Sequence, residues 1–210
     1  MREYQDTLLD PGKCALLVLD VQPQMFFGAE GSFQNTVMLH LKGLAKAARV
    51  FHVPCILSTI AATAFAGPLY SGVQEVFAQA VPIDRTSLNA FEDGNVRRAV
   101  ESSSRKKLLL AGLWTEAGVT FTALSALHEG YQVYLVEDAC AGMTKPAHEA
   151  AVSRMEQAGA VRVTWGQVLL EFQRDWSDRE TSGAVMDILT EHGGGAYRMG
   201  LEYAQEMLGR

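Results

Sequence analysis

The stretch from Lys107 to Thr120 limits most strictly what this chain can fold into. It reads Lys-Leu-Leu-Leu-Ala-Gly-Leu-Trp-Thr-Glu-Ala-Gly-Val-Thr, an apolar run that passes through Gly112-Leu113-Trp114-Thr115 into helical spacing at Val119, Thr122, Ala123, Ala126 and Leu127. A short, unbroken apolar run is the pattern of a strand buried on both faces of a parallel sheet. A strand that turns tightly into a helix aims backbone N–H groups and a helix dipole at one point. In an open α/β sheet that point lies at the carboxyl edge, where ligands bind.

The rest of the chain supplies the other layers. Strand patterns run over Cys14–Asp20, Pro54–Thr59, Val81–Arg85, Gln132–Val136 and Val161–Thr164, with Glu137-Asp138 closing the fifth. Between them lie helical stripes over Thr36–Phe51, Val73–Phe77, Asn95–Glu101 and Pro146–Ala158. Thr63–Tyr70, with Gly67-Pro68, has loop chemistry and is long enough to cover a site. Six strands alternating with helices predict an α/β fold: a three-layer, doubly wound parallel sheet in the order 3-2-1-4-5-6 with right-handed crossovers.

Residues 1–176 read as one domain and residues 177–210 as a helical tail broken at Ser177–Ser182 and at Gly193-Gly194-Gly195. The tail has no strand left to cover, so its apolar residues (Val185, Ile188, Leu189, Leu201, Tyr203, Ala204, Met207, Leu208) need a partner, either its own domain or another subunit. The expectation is that it packs across a subunit boundary.

Several function classes drop out. A net charge of −6 argues against nucleic acid or an anionic membrane as partner, and no run of 18 apolar residues exists. The opening Met-Arg-Glu-Tyr-Gln-Asp has no apolar leader character, which makes the cytoplasm the expected location. No G-x-G-x-x-G follows the first strand and no P-loop pattern occurs, so no nucleotide cofactor is expected; G-x-S-x-G is absent as well. The three cysteines, Cys14, Cys55 and Cys140, lack C-x-x-C spacing, and the first two read as small core residues. The five histidines lack metal spacing and read as surface or half-buried helix residues.

What remains is a charge pair at strand ends. Asp20 closes the first strand, either capping a turn or carrying charge at the ligand edge. Gln22 and the aromatic Phe26 follow at once. In the 3-2-1-4-5-6 order Asp20 and Gly118 flank the switch crevice, with Arg85 two strands over. The neighbouring Arg lowers the carboxylate's pKa and burial raises it, and the residues alone do not decide between them.

Leu-Leu-Val-Leu-Asp-Val-Gln22, Arg85-Thr-Ser-Leu-Asn-Ala-Phe91, Ala111-Gly-Leu-Trp-Thr-Glu-Ala-Gly-Val119 and Val136-Glu-Asp-Ala-Cys-Ala-Gly142 together resemble the isochorismatase-like superfamily of cysteine hydrolases. Its members hydrolyse small amides, imides and, in one branch, a vinyl ether. The segment from Thr164-Trp165 to Glu171-Phe-Gln-Arg-Asp-Trp176 is similar to the YcaC-like branch, whose members form large homo-oligomers. The resemblance implies a Rossmann-like fold, a small-molecule substrate and self-association, with an octamer as the candidate assembly. The family works with an Asp, a Lys and a Cys. By position Asp20 matches the aspartate, Arg85 stands in the lysine's place, and Gly118 stands where the nucleophilic cysteine is usual.

Losing the thiol removes the covalent route, since glycine has nothing to attack with. Cys140 lies beyond the next strand and does not replace it. Isochorismatases resemble this pattern: there an aspartate works as an acid without a nucleophilic side chain. Arg85 offers a bidentate grip on a carboxylate but no proton, because a guanidinium does not give one up in proteins.

The resemblance further implies that Gln22, Phe26, Trp114, Thr115 and Glu116 border the substrate and that the 114–118 turn is an oxyanion hole. By position it puts a cis peptide at Trp114–Thr115. Ser58–Tyr70 contains no His or Asp, so no catalytic metal is expected. Three readings follow: a thiol-independent hydrolase with Asp20 as acid or base, a catalytically inactive relative that binds a small carboxylate, and an oligomeric scaffold whose tail is the functional surface.

Overall fold

Where a strand has apolar residues on both faces, it needs a helix layer above and below, and this chain provides both. The computed structural model describes residues 7–208; the first six residues, read above for a leader, and Arg210 at the end of the tail lie outside them. Strands β1 (Cys14–Leu19), β2 (Cys55–Ile60), β3 (Ile83–Arg85), β4 (Lys107–Leu113), β5 (Gln132–Ala141) and β6 (Val161–Val163) form a six-stranded, all-parallel sheet in the order β3-β2-β1-β4-β5-β6. Every residue of β1 and β4 is buried.

The helices are α1 (Pro23–Phe27), α2 (Gly31–Val50), α3 (Ser71–Gln74), α4 (Gly94–Ser102), α5 (Thr120–His128), α6 (Lys145–Gln157), α7 (Trp165–Gln173), α8 (Ser182–His192) and α9 (Gly194–Leu208). Leu16 and Val18 face one core with the Val37, Leu41, Leu44, Ala45 and Ala48 stripe of α2 and with α7 and α8. Leu17 and Leu19 face the other, with Val96 and Val100 of α4, Ala123 and Ala126 of α5, and Val152 and Met155 of α6. Alternate residues of one strand thus feed two cores, as strand pleating requires.

The elements of the fold depart from the sequence expectations at several points. β5 does not end at Val136. Its register with β4 shifts between Leu110 and Gly112, which lets Glu137 and Asp138 leave the ladder before Cys140 and Ala141 resume pairing with Gly112 and Leu113. The expected loop after β2 begins with a π-helical turn, Ala62–Ala66. His148 and His192 are buried, at 5% and 1% exposure, because each sits on the inward face of its helix, which the spacing of polar residues did not reveal. The tail divides. α8 buries Val185, Ile188 and Leu189 in the core shared with α2 of the same chain. α9 leaves Met199, Tyr203 and Met207 about two-thirds exposed, and the side chain of Leu208 lies outside the described residues.

One glycine on this sheet is obligatory. Gly112 has φ +137°, and a Cβ there would stand 1.9 Å from the Leu19 carbonyl oxygen of β1. Gly112→Ala should therefore destabilise the fold by about 2 kcal/mol or more, from backbone strain and overpacking together. Urea unfolding with an unchanged slope and a lowered midpoint is the measurement that checks it.

Candidate active site

Asp20 follows β1 directly and adopts a left-handed backbone, φ +57°, uncommon for a residue with a side chain and typical of functional positions. Its N–H donates to the Ser58 carbonyl of β2 at 3.0 Å and its carbonyl accepts from Gln22 N–H at 2.8 Å. The side chain is thereby held at the carboxyl edge and not in the ladder. Arg85 ends β3, paired with Ile60 of β2, and reaches over that strand. Its Nη2 donates to Asp20 Oδ2 at 2.8 Å, with both side chains at 1% exposure or less. Asp20 Oδ1 and Arg85 Nε and Nη1 are buried with no partner among the described residues. Buried polar groups are nearly always satisfied, so these three atoms are available to water or to a polar group that the protein itself does not supply.

The wall opposite is backbone. After β4 the chain makes a π-helical turn, Thr115–Val119, that leads into α5. A Cβ built on Gly118 would lie 2.9 Å from Asp20 Oδ2, 3.4 Å from the Leu88 carbonyl oxygen and 3.6 Å from Arg85 Nη2. Asp20, Arg85 and Gly118 therefore meet at one point, and the carboxylate lies against the glycine Cα with no room for a larger residue as the pair stands. The cis peptide is Leu113–Trp114, not Trp114–Thr115. Leu113 completes the strand by pairing with Ala141, so the chain leaves the sheet one residue earlier than the resemblance had placed the break.

The remaining residues expected at the site do different jobs. Gln22 is fully buried, and its amide is engaged on both sides: Nε2 donates to Ile60 O and Gly67 O, and Oε1 accepts from Ile60 N–H. It ties the post-β2 loop to the end of β1. Phe26 packs edge-on to Tyr70 at 5.9 Å and lines an apolar cavity of about 280 Å³ with Pro23, Phe27 and Met38. Trp114 donates its indole N–H to Met25 O at 2.7 Å and lies over Gly28, where a Cβ would meet its ring at 2.4 Å. Thr115 is buried, its hydroxyl 2.8 Å from His148 Nδ1. Glu116 accepts the Met143 N–H at 2.8 Å, and its other oxygen is buried without a partner among the described residues.

Sequence reasoning did not single out His148 or Asp84. The Asp84 carboxylate accepts from Thr59 Oγ1 at 2.8 Å and from the Ala62 N–H at 3.0 Å, which anchors the turn after β2. A polar residue at the last positions of a strand was the available signal for Asp84, and it was read only for Arg85. Cys140 is buried, and burial pushes its thiol up to about 12; burial also raises Cys14, to about 11, and the Cys55 thiol. None is poised as a thiolate. Among the described residues no group of three or more His, Cys, Asp or Glu side chains is placed to hold a metal ion, and no helix is long and apolar enough to cross a membrane.

Residues 14–167 match the isochorismatase domain family. Probable hydrolase YcaC of Escherichia coli (strain K12) is 35% identical over 161 residues, covering 76% of this chain and 72% of that protein. Isochorismatase domain-containing protein 2A of Mus musculus is 31% identical over 169 residues, 80% of this chain and 78% of that one. Among solved structures, the YcaC gene product of Escherichia coli, described as an octameric hydrolase of unknown specificity, superposes with a TM-score of 0.90 at 31% identity over 99% of this chain and all of that one (100%). YcaC from Pseudomonas aeruginosa, solved with hexane-2,5-diol and covalent acrylamide, gives 0.89 at 31% identity over 97% and 98%.

Burial raises the Asp20 carboxyl from 3.8 to about 6, against the pull of Arg85 and with a smaller push from Asp84. The folded state thus holds this proton more tightly than the unfolded chain. The associated stability is fully present below about pH 4 and is lost as pH rises through about 6, a change of about 3 kcal/mol. Denaturation midpoints measured between pH 4 and 7 should show this decline in the parent protein, and the Asp20→Asn variant should lack that component.

Proposed function

The chain belongs to the isochorismatase family and has its hydrolase fold, with YcaC proteins among its relatives; from that premise we propose that it is a thiol-independent hydrolase of a small carboxylate-bearing molecule. The observation that carries this reading is the buried Asp20–Arg85 pair packed on Gly118, with unpartnered atoms on both side chains. In this reading Gly118 stands where the family's nucleophilic cysteine is usual, and the attacking group is water.

Arg85, with Nε and Nη1 uncommitted, grips the substrate carboxylate. Ionised Asp20 takes a proton from water as the water oxygen bonds to the scissile carbon. The displaced electron pair gathers on the substrate oxygen, where backbone N–H groups of the 114–118 turn stabilise it. As the leaving bond breaks, Asp20 returns the proton to the departing atom, so one water is consumed and the carboxylate is regenerated. A carboxyl that titrates at about 6 is matched to both halves of that cycle near neutral pH.

Self-association belongs to the same reading. The octameric relative aligns over the whole chain, and α9 presents Met199, Tyr203 and Met207 outward. Light scattering should return a multiple of the 22.9 kDa chain mass; a monomer at micromolar concentration would end this part of the proposal.

Small carboxylates screened by thermal shift, followed by hydrolysis assays on amides that carry the same carboxylate, test the chemistry. The rate should rise through one ionisation near pH 6 and survive iodoacetamide, since no accessible thiolate takes part. Asp20→Asn should lose two or more orders of magnitude, about the scale of a lost acid–base group. An undiminished rate in that variant removes the acid–base role, and inactivation by alkylation of a Cys140→Ser variant removes the thiol-free mechanism.

A further inference from the structure

Outside the Asp20–Arg85 pair, two buried polar side chains among the described residues bond to the turn proposed as the oxyanion hole: Thr120 Oγ1 donates to the Thr115 carbonyl from within the chain's own run into α5, and His148 reaches the turn from a different helix. His148, on the first turns of α6, places Nδ1 2.8 Å from the Thr115 hydroxyl, and neither residue is more than 5% exposed. A second tie runs from the same segment, the Met143 N–H to Glu116 Oε1 at 2.8 Å. Gly142 allows the segment to lie this close, because a Cβ there would stand 2.6 Å from Glu116 Oε2 and 3.1 Å from His148 Cβ. The first two side chains of the turn are therefore both anchored on residues 143–148.

Hydroxyl, imidazole and carboxylate stand in a row here, since His148 Nε2 faces Glu137 Oε1 at 3.7 Å. A nucleophile with its general base does not fit the geometry. At 3.7 Å Glu137 is beyond hydrogen-bond distance, and its other oxygen binds Arg162. Burial pulls the imidazole below its usual range, against the opposing pull of Glu137 from β5, Glu116 from the turn and Glu149 from its own helix. A weak, neutral base with a hydrogen-bonded hydroxyl at its Nδ1 is an anchor.

We propose that His148 is a positioning residue: a neutral imidazole, protonated at Nε2, whose Nδ1 accepts the Thr115 hydroxyl and holds the turn that carries Gly118 against the Asp20–Arg85 pair. This rests on the reading of that turn as the oxyanion hole, and the test separates the two. It needs an acceptor at the Nδ1 position and nothing else of the imidazole. Asparagine offers such an acceptor at that reach; glutamine, one methylene longer, does not.

Nitrogen-15 spectra of the full-length protein at pH 7 should report His148 Nδ1 as the unprotonated nitrogen. In hydrogen–deuterium exchange, residues 115–119 should exchange about tenfold faster in His148→Gln and in Thr115→Val, on the scale of one lost buried hydrogen bond. His148→Asn should stay within about threefold of the parent. Thr115→Val keeps the test valid if His148→Gln does not fold. A protonated Nδ1, unchanged exchange in Thr115→Val, or equal acceleration in His148→Asn and Thr115→Val would overturn the proposal. If exchange behaves as stated while Asp20→Asn keeps full hydrolytic rate, the anchor stands and it is the hydrolase reading that fails.

Discussion

The Asp20–Arg85 contact is the interaction on which the rest of the site depends. Two opposite charges with almost no exposed surface are costly to bury, and their attraction offsets that cost only where geometry and further hydrogen bonds are good. Here one hydrogen bond at 2.8 Å joins them and three of their polar atoms have no partner among the described residues. Burial pushes the carboxyl toward neutrality while the arginine pulls the other way, and the proposed acid–base role rests on that balance.

The surrounding fold delivers the pair by register. Neighbouring parallel strands lie about 4.8 Å apart, so groups two strands apart meet only through a long side chain. Arg85 stands beside Ile60 at the end of β2, and Asp20 sits just past Leu19, which pairs with Ser58. The left-handed turn at Asp20 and the Gln22 amide fastened to Ile60 and Gly67 then fix the direction from which the carboxylate arrives. On the other side Gly112 lets β4 press against the Leu19 carbonyl, which carries the turn bearing Gly118 close to Asp20.

The same economy explains why β5 is irregular. Glu137 and Asp138 leave the ladder where β4 and β5 slip register. Asp138 Oδ1 accepts the Trp165 N–H at the start of α7, its carbonyl oxygen lies 2.9 Å from His40 Nδ1, and Glu137 faces His148 and binds Arg162. Polar groups that would be intolerable inside a doubly covered sheet become links between it and its helices. The tail is divided by the same rule: α8, with an apolar face, joins the α2 core, while α9 keeps aromatic and methionine side chains outside.

The alternation of apolar runs and helical stripes was enough to read the fold, because strands buried on both faces and right-handed crossovers leave few arrangements open. The meeting of Asp20 and Arg85 was legible for the same reason, since a charge that ends a buried strand has one edge of the sheet to occupy, whereas the role given to Gly118 came from the resemblance. What the sequence alone did not reveal was set by which helix face turns inward and by spacing of an ångström or less. His148 looked like a surface or half-buried residue because one histidine in a mixed helix carries no phase. Gln22 looked like a ligand contact, yet its amide is taken up by two backbone segments far away in sequence. The balance at Asp20 between burial and the arginine also had to wait for tertiary structure, because desolvation depends on every atom packed around the carboxylate and not on its neighbours along the chain.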